Sequence, residues 1–326
     1  MAPTGTVLIT GGTANLGYYT ALRIAKEHPE YLVVLASRSD KDHAADSINK
    51  TLGRESAIFR PLDLADLDSV RLFAEKWVSD KHPPLKVLLL NAGLQFPGEM
   101  HKNAAGIEMT FAINHLGHAY LFHLLCPQLA DHARIVVTSS GTHDPAQKTG
   151  LPDAYYNTAE ELAYPPPASA NNPKGRQRYV TSKLCNVLWT YALARRLRER
   201  IPERHITINA FDPGLMPGSG LAREASAVER FLWNKILPCV IPVLRVAISH
   251  NIYKPEESAA NLARLAVGAD VEGTSGEYFE GPKAIPSSAD SYDERKQEDL
   301  WNWTVKHLAH GDAALEEKFE QQKMPN

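Results

Sequence analysis

Thr6-Val7-Leu8-Ile9-Thr10-Gly11-Gly12-Thr13-Ala14-Asn15-Leu16-Gly17 is the stretch on which the fold turns. A run of strand-forming residues gives way to a glycine-rich turn, and a helical pattern follows over Leu16–Glu27. Glycine in such a turn lets phosphate oxygens approach backbone N–H groups at a helix N-terminus. The spacing admits two readings. As T-G-x-x-x-G-x-G the middle glycine is replaced by Asn15; as T-G-x-x-G-x-x-G it is replaced by Ala14. Asn tolerates a left-handed backbone best among residues other than glycine, so the first reading costs less. Gly11, Thr13, Asn15, Leu16 and Gly17 are candidate nucleotide contacts.

Outward from this stretch, short apolar runs alternate with helical segments. Strands are expected at Thr6–Thr10, Leu32–Ala36, Ala57–Pro61, Lys86–Leu90, Arg134–Thr138, Ile206–Phe211 and Gly276–Phe279. Helices are expected at Leu16–Glu27, Ala44–Leu52, Leu67–Ser79, Ala104–Leu129, Val180–Arg200, Glu256–Val267 and Trp301–Leu308. The strands are apolar on consecutive residues, as when helices cover both faces of a parallel sheet. That pattern predicts one α/β domain over 1–326 with a doubly wound, mostly parallel seven-stranded sheet. Two regions break the alternation, 141–178 and 215–255. Long segments of this kind commonly serve a binding site, so both are expected to be substrate-side insertions. The charged tail Glu316–Lys323 reads as a solvated helix end.

Composition removes several functions. Lys plus Arg is 35 against 38 for Asp plus Glu, a net charge of −3, so nothing suggests a nucleic-acid surface. Cys126, Cys185 and Cys239 are too few and too widely spaced for a disulfide framework or a cysteine zinc site. With no signal-like N-terminus, a reducing compartment, the cytoplasm, is expected. Phe231–Ser249 is apolar but interrupted by Lys235, Pro238, Pro242 and Arg245, so no transmembrane span is expected. His115 and His118 could share a ligand, but without a third partner no metal site is expected. The second strand ends Ala36-Ser37-Arg38, where an NAD site would carry a carboxylate for the ribose hydroxyl. The first acid is Asp40, while Arg38 suits a 2′-phosphate; NADP(H) is the expected cofactor.

Further motifs follow in order: Asp63-Leu64, Asn91-Ala92-Gly93, Asn114 in FAINHLGHAYL, Ser140 in RIVVTSSGTHDP, Tyr179-x-x-x-Lys183, and Asp212-Pro213-Gly214. Together they resemble the short-chain dehydrogenase/reductase family over nearly the whole chain. Asn114–His118, Ser182–Asn186 and the run from Pro213 to Leu221 are most similar to its branch of protochlorophyllide reductases, retinol dehydrogenases and the WW-domain-containing oxidoreductase. The resemblance implies a Rossmann-type fold and catalytic roles for Asn114, Ser140, Tyr179 and Lys183. It implies cofactor contacts from Asp63, Leu64, Asn91, Ala92, Gly93, Tyr179, Lys183, Pro213 and Gly214. Asn114 would anchor a water joining Lys183 to solvent. Family members often pair through the helices bearing Asn114 and Tyr179, which makes a homodimer an expectation.

Tyr179 and Lys183 lie one helical turn apart and project from one face. A free phenol ionises near ~10, and a neighbouring ammonium lowers that value. Tyr179 could then exchange a proton with a substrate oxygen while Ser140 holds it. Cys185 is read as a small buried residue without a catalytic role. The long Ser140–Tyr179 separation, with Tyr155, Tyr156, Tyr164 and Pro165–Pro167, is expected near the substrate mouth, and Phe231, Leu232, Trp233, Ile236 and Leu237 on the other side. These predict a lipophilic or aromatic ketone, aldehyde or alcohol. Two other readings remain at this point: reduction of a carbon–carbon double bond, and a non-catalytic dinucleotide sensor.

Overall fold

The computed structural model describes residues 2–166, 175–220 and 226–321; Pro167, most of the Asn171–Gly175 segment and Leu221 lie outside the described residues. β1 (Gly5–Thr10), β2 (Tyr31–Ser37), β3 (Ala57–Pro61), β4 (Leu85–Leu90), β5 (Leu129–Thr138), β6 (Thr207–Asp212) and β7 (Tyr278–Glu280) run parallel in the order β3-β2-β1-β4-β5-β6-β7. An eighth strand, β8 (Lys283–Ile285), returns antiparallel along β7, so the sheet has eight strands rather than seven. Gly281, with φ 54, makes that reversal possible. A strand of three residues between prolines is too short for alternation to reveal it.

Helices cover both faces, which is why the central strands carry consecutive apolar residues. On one side α1 (Asn15–Glu27), α2 (Ala44–Leu52) and the later helix Pro255–Val267 pack Ile24, Ile48 and Leu262 against Val7, Ile9 and Leu35. On the other lie α3 (Leu67–Asp80), α4 (Met109–Phe111), α5 (Gly117–Leu125), α6 (Ala159–Ala163) and α7 (Gly175–Arg200). The expected helix Ala104–Leu129 starts later, at Met109. The Asn103 side chain accepts from Ala105 and Ile107 to form a turn, and Glu108 caps the helix through Phe111 N. Ala112–Leu116 form a single π-turn between α4 and α5. Pro127 ends the run, and Leu129 already belongs to β5.

α8 (Ala227–Phe231), α9 (Ile241–Ala247) and α10 (Pro255–Val267) precede two C-terminal helices, α11 (Glu294–Ala309) and α12 (Ala313–Gln321). These last two cover the outer faces of α5 and α7. His115 meets Thr304, Arg196 forks onto Glu298 and lies 4.2 Å above the Trp301 ring, and Phe319 packs on Tyr120 and His123. The charged tail is therefore docked, not solvated, as far as Gln321: one aromatic, Phe319, anchors an otherwise polar helix, and Glu320 accepts from Trp301 and Arg200. Residues 322 and 323 of that run lie outside the described residues. Asn114 and α5 are buried beneath α11 and α12, whereas α7 keeps exposed residues at Arg176 and at 198–200. Among the described residues, no helix is long and apolar enough to cross a membrane.

Three histidines are enclosed here. Burial depresses His115, His118 and His123 to about 3. Histidine in an unfolded chain titrates near ~6.5, so between that pH and about 3 the unfolded chain binds more protons. Stability is thus full above pH ~6.5 and falls as acid is added. Melting curves from pH 7.5 to 5 should show a steady drop in Tm. His123, neither of whose ring nitrogens has a partner, sits against Phe319 and Trp301, and His123→Phe should flatten that slope. An unchanged slope would contradict this assignment.

Candidate active site

The carboxyl ends of β1, β4, β5 and β6 open onto a cavity of about 830 Å³. At its β1 end Gly11 (φ 66) and Asn15 (φ 48) both adopt left-handed backbone, whereas Ala14 is extended. Asn15 therefore stands at the middle glycine position, as the first spacing required. Gly17 has no alternative: a Cβ there would lie 2.2 Å from the Gly11 carbonyl oxygen. No side chain caps α1, so its first amides are open to a ligand. Gly11, Thr13, Asn15, Leu16, Gly17, Arg38, Asp63, Leu64, Asn91, Ala92 and Gly93 all line the cavity. Asp40 does not; its carboxylate accepts from Ala44 and Ala45 at the start of α2. Asn91 ties the strands, donating to the Thr10 carbonyl (3.0 Å) and accepting from Thr138 (3.3 Å).

β5 delivers two serines in opposite directions, as pleating demands. Ser139 turns inward and donates to the Lys183 carbonyl (2.7 Å). Ser140 faces the cavity, close enough to the Tyr179 phenol to draw its pKa down. On α7, Tyr179 and Lys183 share a face, with the ammonium 5.7 Å from the ring centroid. Lys183 Nζ donates to the Thr138 carbonyl (2.9 Å) and lies against Gly93, beside Asn114 Oδ1. Asn114 is fully buried: it accepts from Leu94 N (2.9 Å), donates to the Leu94 carbonyl (2.9 Å) and donates to Ser182 (3.0 Å). Its own carbonyl lies in the π-turn and meets His118 Nδ1 (3.2 Å).

The electrostatics differ from the expectation that Lys183 would acidify the phenol. Burial holds Tyr179 well above an ordinary phenol; Ser140 lowers it and the Asp212 charge raises it. Burial brings Lys183 down to about 8, with Asp212 opposing. Desolvation of both groups outweighs the neighbouring charge. The phenol is thus protonated at neutral pH and can give a proton to a substrate oxygen.

The two insertions contribute unequally to the wall. Leu151, Leu215, Met216, Leu232, Trp233 and Leu237 line the cavity. Phe231 and Ile236 point outward, and the aromatic residues expected at the mouth lie elsewhere. Tyr155 opens onto a second, smaller cavity with Pro165 and Pro166. Tyr156 is buried and donates to Asp299 (2.7 Å), while Tyr164 lies against His307. These aromatic residues flank α6, which packs on α11, away from the sheet edge. His115 and His118 are spent on Thr304 and Thr10 hydroxyls within the core, and Cys185 is buried, its thiol pushed up by burial. Asn251 belongs to the site without having been singled out, and Asp212 lines it beside the expected Pro213 and Gly214. The charge of Asp212 was readable in D-P-G, but Asn251 carries no local signal.

Residues 5–151 match the short chain dehydrogenase family, and residues 222–315 match the AcuH dehydrogenase domain. Retinol dehydrogenase 14 of Homo sapiens is 31% identical, the alignment covering 91% of this chain and 84% of that protein. The chain belongs to the short-chain dehydrogenase family. Polyprenol dehydrogenase of Homo sapiens is 29% identical over 92% of this chain and 84% of its own length. Among solved structures, an uncharacterized protein from Mycobacterium paratuberculosis superposes with a TM-score of 0.65 at 25% identity, covering 100% of this chain and 97% of that one. Short-chain dehydrogenases are oxidoreductases that use nicotinamide dinucleotides. The cradle fits such a group: glycine contacts no Cβ would tolerate, uncapped amides at α1, and a buried acceptor without a partner, Asn251 Oδ1.

Proposed function

We propose that this short-chain dehydrogenase is an NADP(H)-dependent carbonyl reductase or alcohol dehydrogenase for a lipophilic or aromatic ketone, aldehyde or alcohol. The observation that carries the reading is the meeting of Ser140, Tyr179 and Lys183 at one end of a cavity whose other wall is apolar. Gly11, Thr13, Asn15, Leu16 and Gly17 would hold the pyrophosphate, Asp63 and Leu64 the adenine side, and Pro213 and Gly214 the nicotinamide side. A bound reduced nicotinamide supplies hydride. The chain does the rest: Ser140 holds the substrate oxygen, and Tyr179 gives it the proton that completes an alcohol. Lys183 is anchored on the Thr138 carbonyl near the Tyr179 ring, and its ammonium and Asn114 Oδ1 both approach Gly93. Retinol and polyprenol, after which two relatives are named, are lipophilic alcohols, which suits Leu215, Leu232, Trp233 and Leu237. Three free thiols suit a reducing compartment, and we place the protein in the cytoplasm.

Arg38 carries the choice of cofactor. It lines the cavity, exposed, at the end of β2, where the nearest carboxylate is engaged in capping α2. Replacing it by Ala should weaken NADPH by about tenfold or more, the scale of a charge-assisted hydrogen bond, and leave NADH unchanged. Titrating both cofactors against wild type and variant measures this. The function itself is tested by offering retinoid and polyprenoid aldehydes and alcohols, aromatic ketones and enones with each cofactor, and following nicotinamide absorbance and products. Alcohol formed from aldehyde supports the proposal. A saturated product that keeps its carbonyl, or cofactor binding without turnover of any substrate, would overturn it.

A further inference from the structure

Asp212 ends β6, is 1% exposed and lines the cavity. Its Oδ1 accepts from Gly214 N (3.0 Å) and its Oδ2 from Asn251 Nδ2 (2.7 Å). Gly141 makes room for it: a Cβ at that position would lie 2.8 Å from Oδ2. The carboxylate therefore sits against the Ser140–Gly141 turn, close enough for its charge to act on Tyr179 and Lys183. Its hydrogen-bond donors are neutral amides, and among the described residues no basic side chain forms an ion pair with it. Burying a carboxylate on neutral partners is costly, and a cation brought into the cavity would offset that cost.

We propose that Asp212 is a charge-bias residue, whose carboxylate makes the site favour the oxidised, cationic dinucleotide over the reduced, neutral one. The inference rests on the dinucleotide reading above and deepens it. Oxidised nicotinamide carries a formal positive charge that the reduced ring lacks, so a fixed anion beside Pro213-Gly214 distinguishes the two forms. A site that prefers the oxidised form draws the bound equilibrium toward hydride donation, hence toward carbonyl reduction.

The test is binding without substrate. Dissociation constants of NADP⁺ and NADPH are measured by calorimetry for wild type and Asp212→Asn, which keeps an acceptor for Gly214 N. The variant should weaken NADP⁺ at least about fivefold relative to NADPH, the ordinary scale of a coupling between two charges. A merely structural role would move both constants together, and equal changes, or none, overturn the inference. Should Asp212→Asn fold poorly, Asp212→Ser carries the same comparison. If wild type binds neither form, the dinucleotide reading itself fails and this inference falls with it.

Discussion

Tyr179→Phe should lower turnover by about three orders of magnitude while leaving dinucleotide affinity within twofold, on the scale expected for losing a positioned proton donor. The phenol is a cavity hydroxyl beside Ser140, protonated at neutral pH. Phenylalanine keeps the ring, its burial and its contact with Lys183, so a loss of rate reports on the oxygen alone. The pH profile adds a second check. Lys183 changes charge near about 8, so wild-type activity that depends on its ammonium should decline as pH rises through that value. Stopped-flow kinetics beside cofactor titration separates the two effects. Retained turnover in Tyr179→Phe would assign proton transfer elsewhere.

Gly17→Ala should abolish measurable dinucleotide binding, a weakening of a hundredfold or more, for a different reason. The new methyl group would fall 2.2 Å from the Gly11 carbonyl oxygen and 3.0 Å from Asn91 Nδ2. Both neighbours are fixed: Gly11 N donates to the Ala36 carbonyl, and Asn91 is held by Thr10. Relief requires the first turn of α1 to move away from the end of β1, which separates the amides from the loop they should complete. A displacement of about 1 Å is enough to cost two orders of magnitude at a positioned site. Calorimetry on the folded variant measures the loss, and a circular dichroism melt checks that the sheet persists. Binding within tenfold of wild type would mean that the phosphates lie elsewhere.

Much of this was legible because it is local or repeats a motif at fixed spacing. The strands could be read to within a residue or two where apolar runs are flanked by turns, as at Ala57–Pro61. Asn15 announced its left-handed backbone through its residue type. The illegible parts depend on distant chain. Nothing in Glu316–Gln321 says that Phe319 finds Tyr120 and His123, and nothing near Tyr156 says that its hydroxyl reaches Asp299. The balance of charge was misjudged for a related reason. A lysine one turn away is visible in the sequence, whereas the desolvation that opposes it belongs to the assembled cavity.

α11 and α12 hold the back of α7 in place, through Glu298 on Arg196 and Trp301 beneath it. Both follow every strand of the sheet in the chain. A chain ending after Ile285 would have every strand of the sheet yet leave the helix bearing Tyr179 and Lys183 unbraced. Fusions, nicks or stop codons past Ile285 would then yield proteins that hold their nucleotide loop in order yet turn over nothing.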